Sequence, residues 1–490
     1  MSKITGVLAL AGLIAVSTLL LNCGSSSSRP AGLLYVASQA SNYIVSFAID
    51  LNTGALSQVG GTPTTCNTAS PCGLTTNMLL DPTQTTAFLL NQGKACIEGV
   101  TCADPCGPAP LQPCVSIPPT IYGYTVNSDG SLSKPATTFA WTHPTSSTDT
   151  EDDADQAISM VRDAAGKFLF VINSGSTQTQ ANNYLQTCPY APSSNFDACP
   201  SISVFATTPG STSVALTGNN CTNTNTPCPY RLSRVPTALS VLTFTPPGSS
   251  STETLLFVTS KQDLTSRHND NELSVFTVDP SGNLLETSGS PYTTQVNPSS
   301  VQAVNTVVSG QTVGGVFVYV GAQGSGSGTV SGFQLCTVPN QGNNGYNCSQ
   351  AQVQNSQLIP SISPSPAGKD PAAMVVDPTN SFLYIAATGS NQVFGYSISS
   401  VNGSLNTLSP ASVPSQGASP FALALHTSTT SRQNNGVNFL YVSNIASSSG
   451  TNTGSGTIGI FSAGVTNGSL STGSDFFLFT DNQPSAMAAK

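Results

Sequence analysis

A short apolar strand centred on an aromatic residue or leucine recurs seven times along this chain, and that recurrence constrains the fold more than any other feature. The copies are Leu34-Tyr35-Val36, Phe88-Leu89-Leu90, Leu169-Phe170-Val171, Leu256-Phe257-Val258, Val318-Tyr319-Val320, Leu383-Tyr384-Ile385 and Leu440-Tyr441-Val442. Downstream of each lies an alternating stretch with one aromatic: Phe47, Tyr124, Phe205, Phe276, Phe333, Tyr396 and Phe461. A Gly-x-Leu turn follows in five units, at Gly54/Leu56, Gly130/Leu132, Gly282/Leu284, Gly403/Leu405 and Gly468/Leu470. Short strands separated by Gly, Asn and Asp turns are antiparallel hairpins.

A strand of small residues precedes each of the last six copies, starting near Leu74, Ala157, Pro236, Pro298, Pro371 and Pro420. The first unit lacks one, yet Pro484-Ser485-Ala486-Met487-Ala488 stands at the far end with no unit of its own. Joining the two completes unit one and removes the edges that an open array would leave. The expected fold is therefore all-β: a seven-bladed propeller of four-stranded antiparallel blades, closed by the C-terminal strand joining the first blade. A length of 490 residues would otherwise suggest several domains, but the repeat makes 32–490 one domain. Composition agrees, because charged residues are only 7% while the 38% apolar residues gather in β-branched and aromatic runs that can build a core.

The Leu34-Tyr35-Val36-Ala37-Ser38, Val376-Asp377-Pro378…Phe382-Leu383-Tyr384-Ile385 and Phe439-Leu440-Tyr441-Val442-Ser443-Asn444 segments resemble the lactonase-like seven-bladed propellers. The repeated Tyr-Val-type strand is that family's mark, and 6-phosphogluconolactonase is its named enzyme. The resemblance covers essentially all of 32–490 and implies the fold directly. It implies lactone hydrolysis only as one of many functions such a scaffold carries.

Residues 1–22 read as an export signal, with Lys3 ahead of an uncharged apolar run from Ile4 to Leu21. Leu20-Leu21-Asn22-Cys23-Gly24 resembles a bacterial lipoprotein signal, in which Cys23 is lipidated and 23–31 form a Ser-rich tether. Asn22 stands where a small residue is usual, and ordinary cleavage or an uncleaved anchor are the alternatives. All three place the body outside the cytoplasm, lipid-anchored to an envelope membrane in the first case. Apart from Cys23 there are twelve cysteines (66, 72, 96, 102, 106, 114, 188, 199, 221, 228, 336 and 348), close together in polar loops, which suits local disulfides in an oxidising compartment. Sequential pairing is the simplest, although the four between Cys96 and Cys114 leave three connectivities open. No C-x-x-C pair occurs and there are only three histidines, a poor basis for structural zinc.

Loop lengths show where a site belongs. From second-strand centre to third-strand aromatic takes 12 residues at Tyr35–Phe47 and Tyr384–Tyr396, but 35 at Leu89–Tyr124 and Phe170–Phe205. These insertions, together with the loops holding Cys66/Cys72 and Cys221/Cys228, fall on the face from which innermost strands start. A disulfide-stapled crown over the central channel is expected there. Asp149-Thr150-Glu151-Asp152-Asp153-Ala154-Asp155 runs into an innermost strand and overhangs the mouth. Asp152, Asp153 and Asp155 offer the hard oxygens that calcium takes, but without the EF-hand spacing, and a solvated acidic loop is the simpler reading. Calcium is the only cofactor the residues suggest.

At the start of other innermost strands stand Arg234, Asn297, Asp370 and Ser419, of which Arg234 and Asp370, with Asp155 and Asp263, are candidate ligand contacts. The window from Lys261 to Asp270 holds Asp263, Arg267 and His268; His268 beside Arg267 is the best acid/base candidate. His143 and His426 read as structural, and Trp141 as a stacking or buried ring.

No nucleophile–base–orienter set assembles, and no G-x-S-x-G elbow or phosphate loop occurs in a fitting context. Thirteen Lys and Arg against 22 Asp and Glu leave no basic patch for nucleic acid. Cations are also scarce for a phosphorylated lactone, and no histidine stands near Pro71-Cys72-Gly73-Leu74 or Asp155-Gln156-Ala157. The sequence therefore favours a monomeric ligand- or partner-binding scaffold over hydrolysis of an extracytoplasmic lactone. Its expected partner is a small molecule, a saccharide or an envelope protein, with the N-terminal lipid as the only membrane contact.

Overall fold

In the computed structural model, the described residues are 32–38, 43–59, 64–65, 75–92, 94–95, 115–116, 119–133, 135–140, 157–174, 200–218, 229–247, 249–263, 271–306, 315–324, 326–337, 348–427, 437–446, 456–473, 477–479 and 483–490. They form seven antiparallel sheets of four main strands each, one per sequence unit. Blade six shows the plan: Pro371–Val376 innermost, then Phe382–Ala387, Gln392–Ile398 and Leu405–Pro414 outward. The other innermost strands are Pro484–Ala489 of blade one, Thr75–Leu80, Ala157–Arg162, Arg234–Phe244, Pro298–Asn305 and Ala418–His426. Each packs against the innermost strand on either side, so the ring is closed.

Closure occurs as the sequence requires. The terminal strand pairs with Leu33–Ser38 in the register Leu34↔Ala489, Tyr35↔Ala488, Val36↔Met487 and Ala37↔Ala486. Lys490 then donates its N–H to the Leu33 carbonyl at 2.8 Å.

Seven apolar cores lie between blades, one at each junction. A recurring lock explains why the second strands read as aromatic-Leu-Tyr. The Tyr35, Tyr319, Tyr384 and Tyr441 hydroxyls donate to the carbonyls of Gly130, Gly403, Gly468 and Gly54, each in the next blade's turn between third and outer strands. Two residues earlier, Leu33, Phe317, Phe382 and Phe439 press against the same glycines. Those glycines hold φ between 66° and 91°, a region that L side chains avoid, so the Gly-x-Leu signal marks the receiving half of the lock. Leu89, Phe170 and Phe257 occupy the tyrosine position in blades two to four and bring no hydroxyl. Because burial also pushes the Tyr441 phenol upward, it stays neutral and donates. Tyr441→Phe should cost about 1–2 kcal/mol by orphaning the Gly54 carbonyl, whereas Phe257→Leu should cost only its packing; thermal melts of the two variants check this.

The outer strands follow the sequence signals less closely. The turn at Gly130 gives only a bridge, Val126↔Leu132, and blade two's outer strand is Thr137–Ala140 instead. Blades three and five lack the Gly-x-Leu signal yet form outer strands Val214–Thr217 and Leu358–Gly368. An outer strand bonds on one side only, so turn chemistry specifies it weakly. Cys336 and Cys348 form a disulfide between the third and outer strands of blade five, as sequential pairing expects. The other cysteines, like the expected signal and tether at 1–31, lie outside the described residues. Among the described residues, no helix is long and apolar enough to cross a membrane.

Candidate functional site

Strand register fixes two unlike faces. In blade six Pro371 pairs with Ala387, Ala387 with Gln392, and Gln392 with Pro414. Innermost strands therefore start on the face that also carries the second-to-third connections and the links between blades. The long insertions leave from that loop face, since Asn91 pairs with Thr120 and Asn173 with Ser201. The insertion of blade two begins as a small ribbon, Lys94–Ala95 against Val115–Ser116.

The opposite face carries tight turns, and its carboxylates are committed to them. Asp81, 1% exposed, accepts from the N–H groups of Thr83, Thr85 and Thr86 and from Gly210 of the next blade. Burial works against its charge, yet these bonds and the Thr83 hydroxyl outweigh it and hold the carboxyl down at about 2. Asp377 caps its turn through Thr379, Ser381 and Phe382, and Asp163 bonds the Phe168 N–H. Asp50, Asp129 and Asp279 do the same in turns between third and outer strands. These are fold-forming groups, remote from the channel mouth. His426 ends its innermost strand on this face, 3% exposed, with Nδ1 2.5 Å from the Lys490 oxygen. Burial lowers its pKa. It seals the junction of blades seven and one, in keeping with a structural role.

The mouth on the loop face is built by a repeated irregularity. Near its start every innermost strand carries a β-bulge, whose extra residue is Ser485, Thr76, Ile158, Thr237, Ser299, Ala372 or Phe421. A bulge bends the strand and re-aims one side chain, and sevenfold repetition puts these residues at one level of the ring. Hydroxyls here join neighbouring blades. Thr75 and Ser485 approach to 2.8 Å, Ser299 donates to the Pro371 carbonyl, and Thr388 donates to the Pro420 carbonyl at 2.6 Å.

Of the sequence-selected residues, Asp370 is at this rim. It holds φ 55° immediately before Pro371, as Asn297 and Ser419 do before Pro298 and Pro420. Its carbonyl accepts from the Thr388 N–H at 2.9 Å, and its carboxylate lies over Gly389, where a Cβ would collide with Oδ2. Arg234 is one position out of step with that set, because Val235 precedes Pro236. Its guanidinium is ion-paired with Glu272 and, at 3.6 Å, with Glu286, beside Ser274. Arg234 thus spans the strands of its own blade. The backbone of Asp263 pairs with Arg234 at the loop face. Asp152, Asp153, Asp155, Arg267, His268, Cys23, Trp141 and His143 lie outside the described residues. Among the described residues, no group of three His, Cys, Asp or Glu side chains is placed to hold a metal ion.

Phe421 is a residue of this level that the sequence reading did not single out. Its strand reads as one more apolar run, but Phe421 is 37% exposed on an innermost strand, whereas its counterpart Ser485 is 1% exposed. The available signal was a large aromatic where the aligned strands carry Ser, Thr, Ala or Ile.

A closed ring of seven four-stranded blades defines the class: a seven-bladed β-propeller. The solved structures it resembles include a gluconolactonase and a candidate 6-phosphogluconolactonase. The periplasmic gluconolactonase of Pseudomonas aeruginosa superposes with a TM-score of 0.51 at 15% identity, covering 92% of this chain and 97% of its own. A candidate 6-phosphogluconolactonase from Bacteroides fragilis gives 0.52 at 12% identity, covering 96% and 100%. A Lactobacillus plantarum protein gives 0.51 at 12%, covering 94% and 99%. No family model matches the sequence, and no curated protein matches it. At these identities the likeness establishes the fold, which is the one the Tyr-Val-type strands imply.

Proposed function

We propose that this chain is an exported ligand-binding propeller whose ligand enters the channel from the loop face. The observation that carries this reading is the chemistry of the seven innermost strands. Their only charged side chains are Arg162 and Arg234. Arg162 is bonded to the Gly166 carbonyl and Thr207 and lies over the Phe88 ring, while Arg234 is ion-paired. What remains, apart from His426 at the opposite face, is uncharged: Ser, Thr, Asn, Gln, Pro and apolar side chains, suited to holding a neutral molecule. General acid–base catalysis would instead need a titrating group within hydrogen-bond reach of the reacting atom. The Cys336–Cys348 disulfide supports a location outside the cytoplasm.

Hydrolysis of a non-phosphorylated aldonolactone is the second reading, prompted by the likeness to the periplasmic gluconolactonase. An activated water would then come from the loop at 261–270, with His268 as its first candidate base. Proton release against a panel of lactones, 6-phosphogluconolactone included, separates the readings. No turnover is expected for any of them. Turnover that disappears in His268→Ala would overturn the binding reading and make that loop the active site.

A further inference from the structure

We propose that the turn face of the propeller rests against a lipid bilayer, so that the channel mouth on the loop face points away from the membrane. This goes beyond the binding reading and shares with it the expectation of export. It rests on the expected acyl anchor at Cys23.

The ring meets the chain that leads to Cys23 at one fixed point. Gly32 precedes Leu33–Ser38, the second strand of blade one, and Ser38 pairs with Pro484 where the innermost strand starts. Gly32 is therefore at the other end of that strand, on the turn face. Its carbonyl accepts from the Ile49 N–H at 3.0 Å, and a Cβ on it would come 2.8 Å from Cε1 of His426. Ile49 and His426 each end a strand on that same face, so the exit is pinned beneath the junction of blades seven and one.

Reach then decides the orientation. Gly32 follows Cys23 by nine residues, which span at most about 30 Å even when fully extended. To seat the loop face on the bilayer, the chain would first have to clear the third and outer strands of blade one, about 5 Å each. It would then have to climb the height of a six-residue strand, about 20 Å. That consumes the whole tether. The turn face reaches the bilayer with almost none of it.

The same face presents apolar side chains in the same sector. Val401 and Val465 are 41% and 38% exposed in the turns that precede Gly403 and Gly468, and Leu51 is half-buried in the matching turn of blade one. Asp50 beside it is bonded to the N–H groups of Asn52 and Thr53. In blades two and four the corresponding turns carry Asp129 and Asp279 instead. Blades six, seven and one are thus the apolar side of this face, and Gly32 emerges between two of them. The contact is apolar rather than ionic, because 22 Asp and Glu against 13 Lys and Arg do not draw the chain to anionic headgroups. Once a body is tethered, seating it costs little further entropy, so a few exposed apolar side chains bias which face is seated.

The test takes the full chain from bacterial membranes into vesicles of phosphatidylethanolamine and phosphatidylglycerol. Photoreactive p-benzoylphenylalanine replaces Val401, Val465 or Val296. Val296, 50% exposed, lies in the link from blade four to blade five on the loop face. After illumination, mass spectrometry should find lipid adducts several-fold more often at Val401 and Val465 than at Val296. All three sites are exposed, so the variants should melt within a few degrees of the parent, which controls for folding. Adducts that are absent, equal at the three sites or richest at Val296 would overturn the face assignment while leaving the anchor in place. A chain that does not float with the vesicles would overturn the anchor and the face assignment together. Ligand capture at the mouth is read separately, by the lactone panel, and survives either failure.

Discussion

Gly468→Ala is expected to lower the thermal midpoint substantially, with a loss of about 2–5 kcal/mol from two separable causes. Gly468 sits at φ +66°, where an L residue pays about 1–2 kcal/mol in backbone energy. A Cβ there would also lie 2.2 Å from Cδ1 of Phe382, a side chain 7% exposed and packed into the core between blades six and seven. That ring cannot retreat without disturbing its neighbours, and overpacking of this kind costs about 1–3 kcal/mol. The Gly468 carbonyl is also the acceptor for the Tyr384 hydroxyl at 2.9 Å, so any backbone shift that relieves the clash weakens the lock.

Gly210→Ala is the matched control. It shares the strain, at φ +81°, but the nearest atom to its Cβ would be Thr85 Oγ1 at 3.7 Å. It should lose only the backbone part, about 1–2 kcal/mol. Paired melts therefore measure the steric share of the lock directly. Equal losses would mean that the aromatic-to-glycine contact contributes nothing, and that the repeated Phe-Leu-Tyr pattern needs another explanation.

The lock also shows which parts of the molecule were legible in the sequence. Strand centres, blade number and ring closure follow from residues whose role is local or strictly repeated: Tyr441 aligns with Tyr384, and Gly468 with Gly403. Outer strands were less legible because they are held on one side only. The Gly130 turn accordingly misled, and the strand formed five residues beyond Leu132, at Thr137. The candidate site was legible in part. Asp370 could be placed at the mouth because a proline marks the start of its strand. Arg234, two residues before its proline, begins its strand as expected and pairs with Glu272 and Glu286 of its own blade. Phe421 escaped because apolar residues in a strand read as core. Its exposure depends on a bulge, which is a matter of register between strands.

Removing Pro484–Ala489 should have the largest effect of any change to the chain. That segment is the innermost strand of blade one, and Leu33–Ser38 has no other partner on its inner side. Without it, five paired positions are lost and the second strand's N–H and C=O groups face an open gap, which is an edge ready to pair with another chain. The ring also breaks, since the same segment contacts the innermost strands of blades two and seven and hydrogen-bonds Thr75 through Ser485. Hydrogen bonds of about 1 kcal/mol each, added to the burial of Met487, approach the whole stability of a typical domain, about 5–15 kcal/mol. The truncated chain should therefore aggregate or elute as a heterogeneous oligomer in size-exclusion chromatography. Met487→Asp in the full chain keeps the backbone pairing while placing a charge in the core shared with Tyr441 and Ile458. It should melt well below the parent but elute at the parent's volume. A truncated protein that stays monomeric with an unchanged melt would show that the other six innermost strands hold the ring without the seventh.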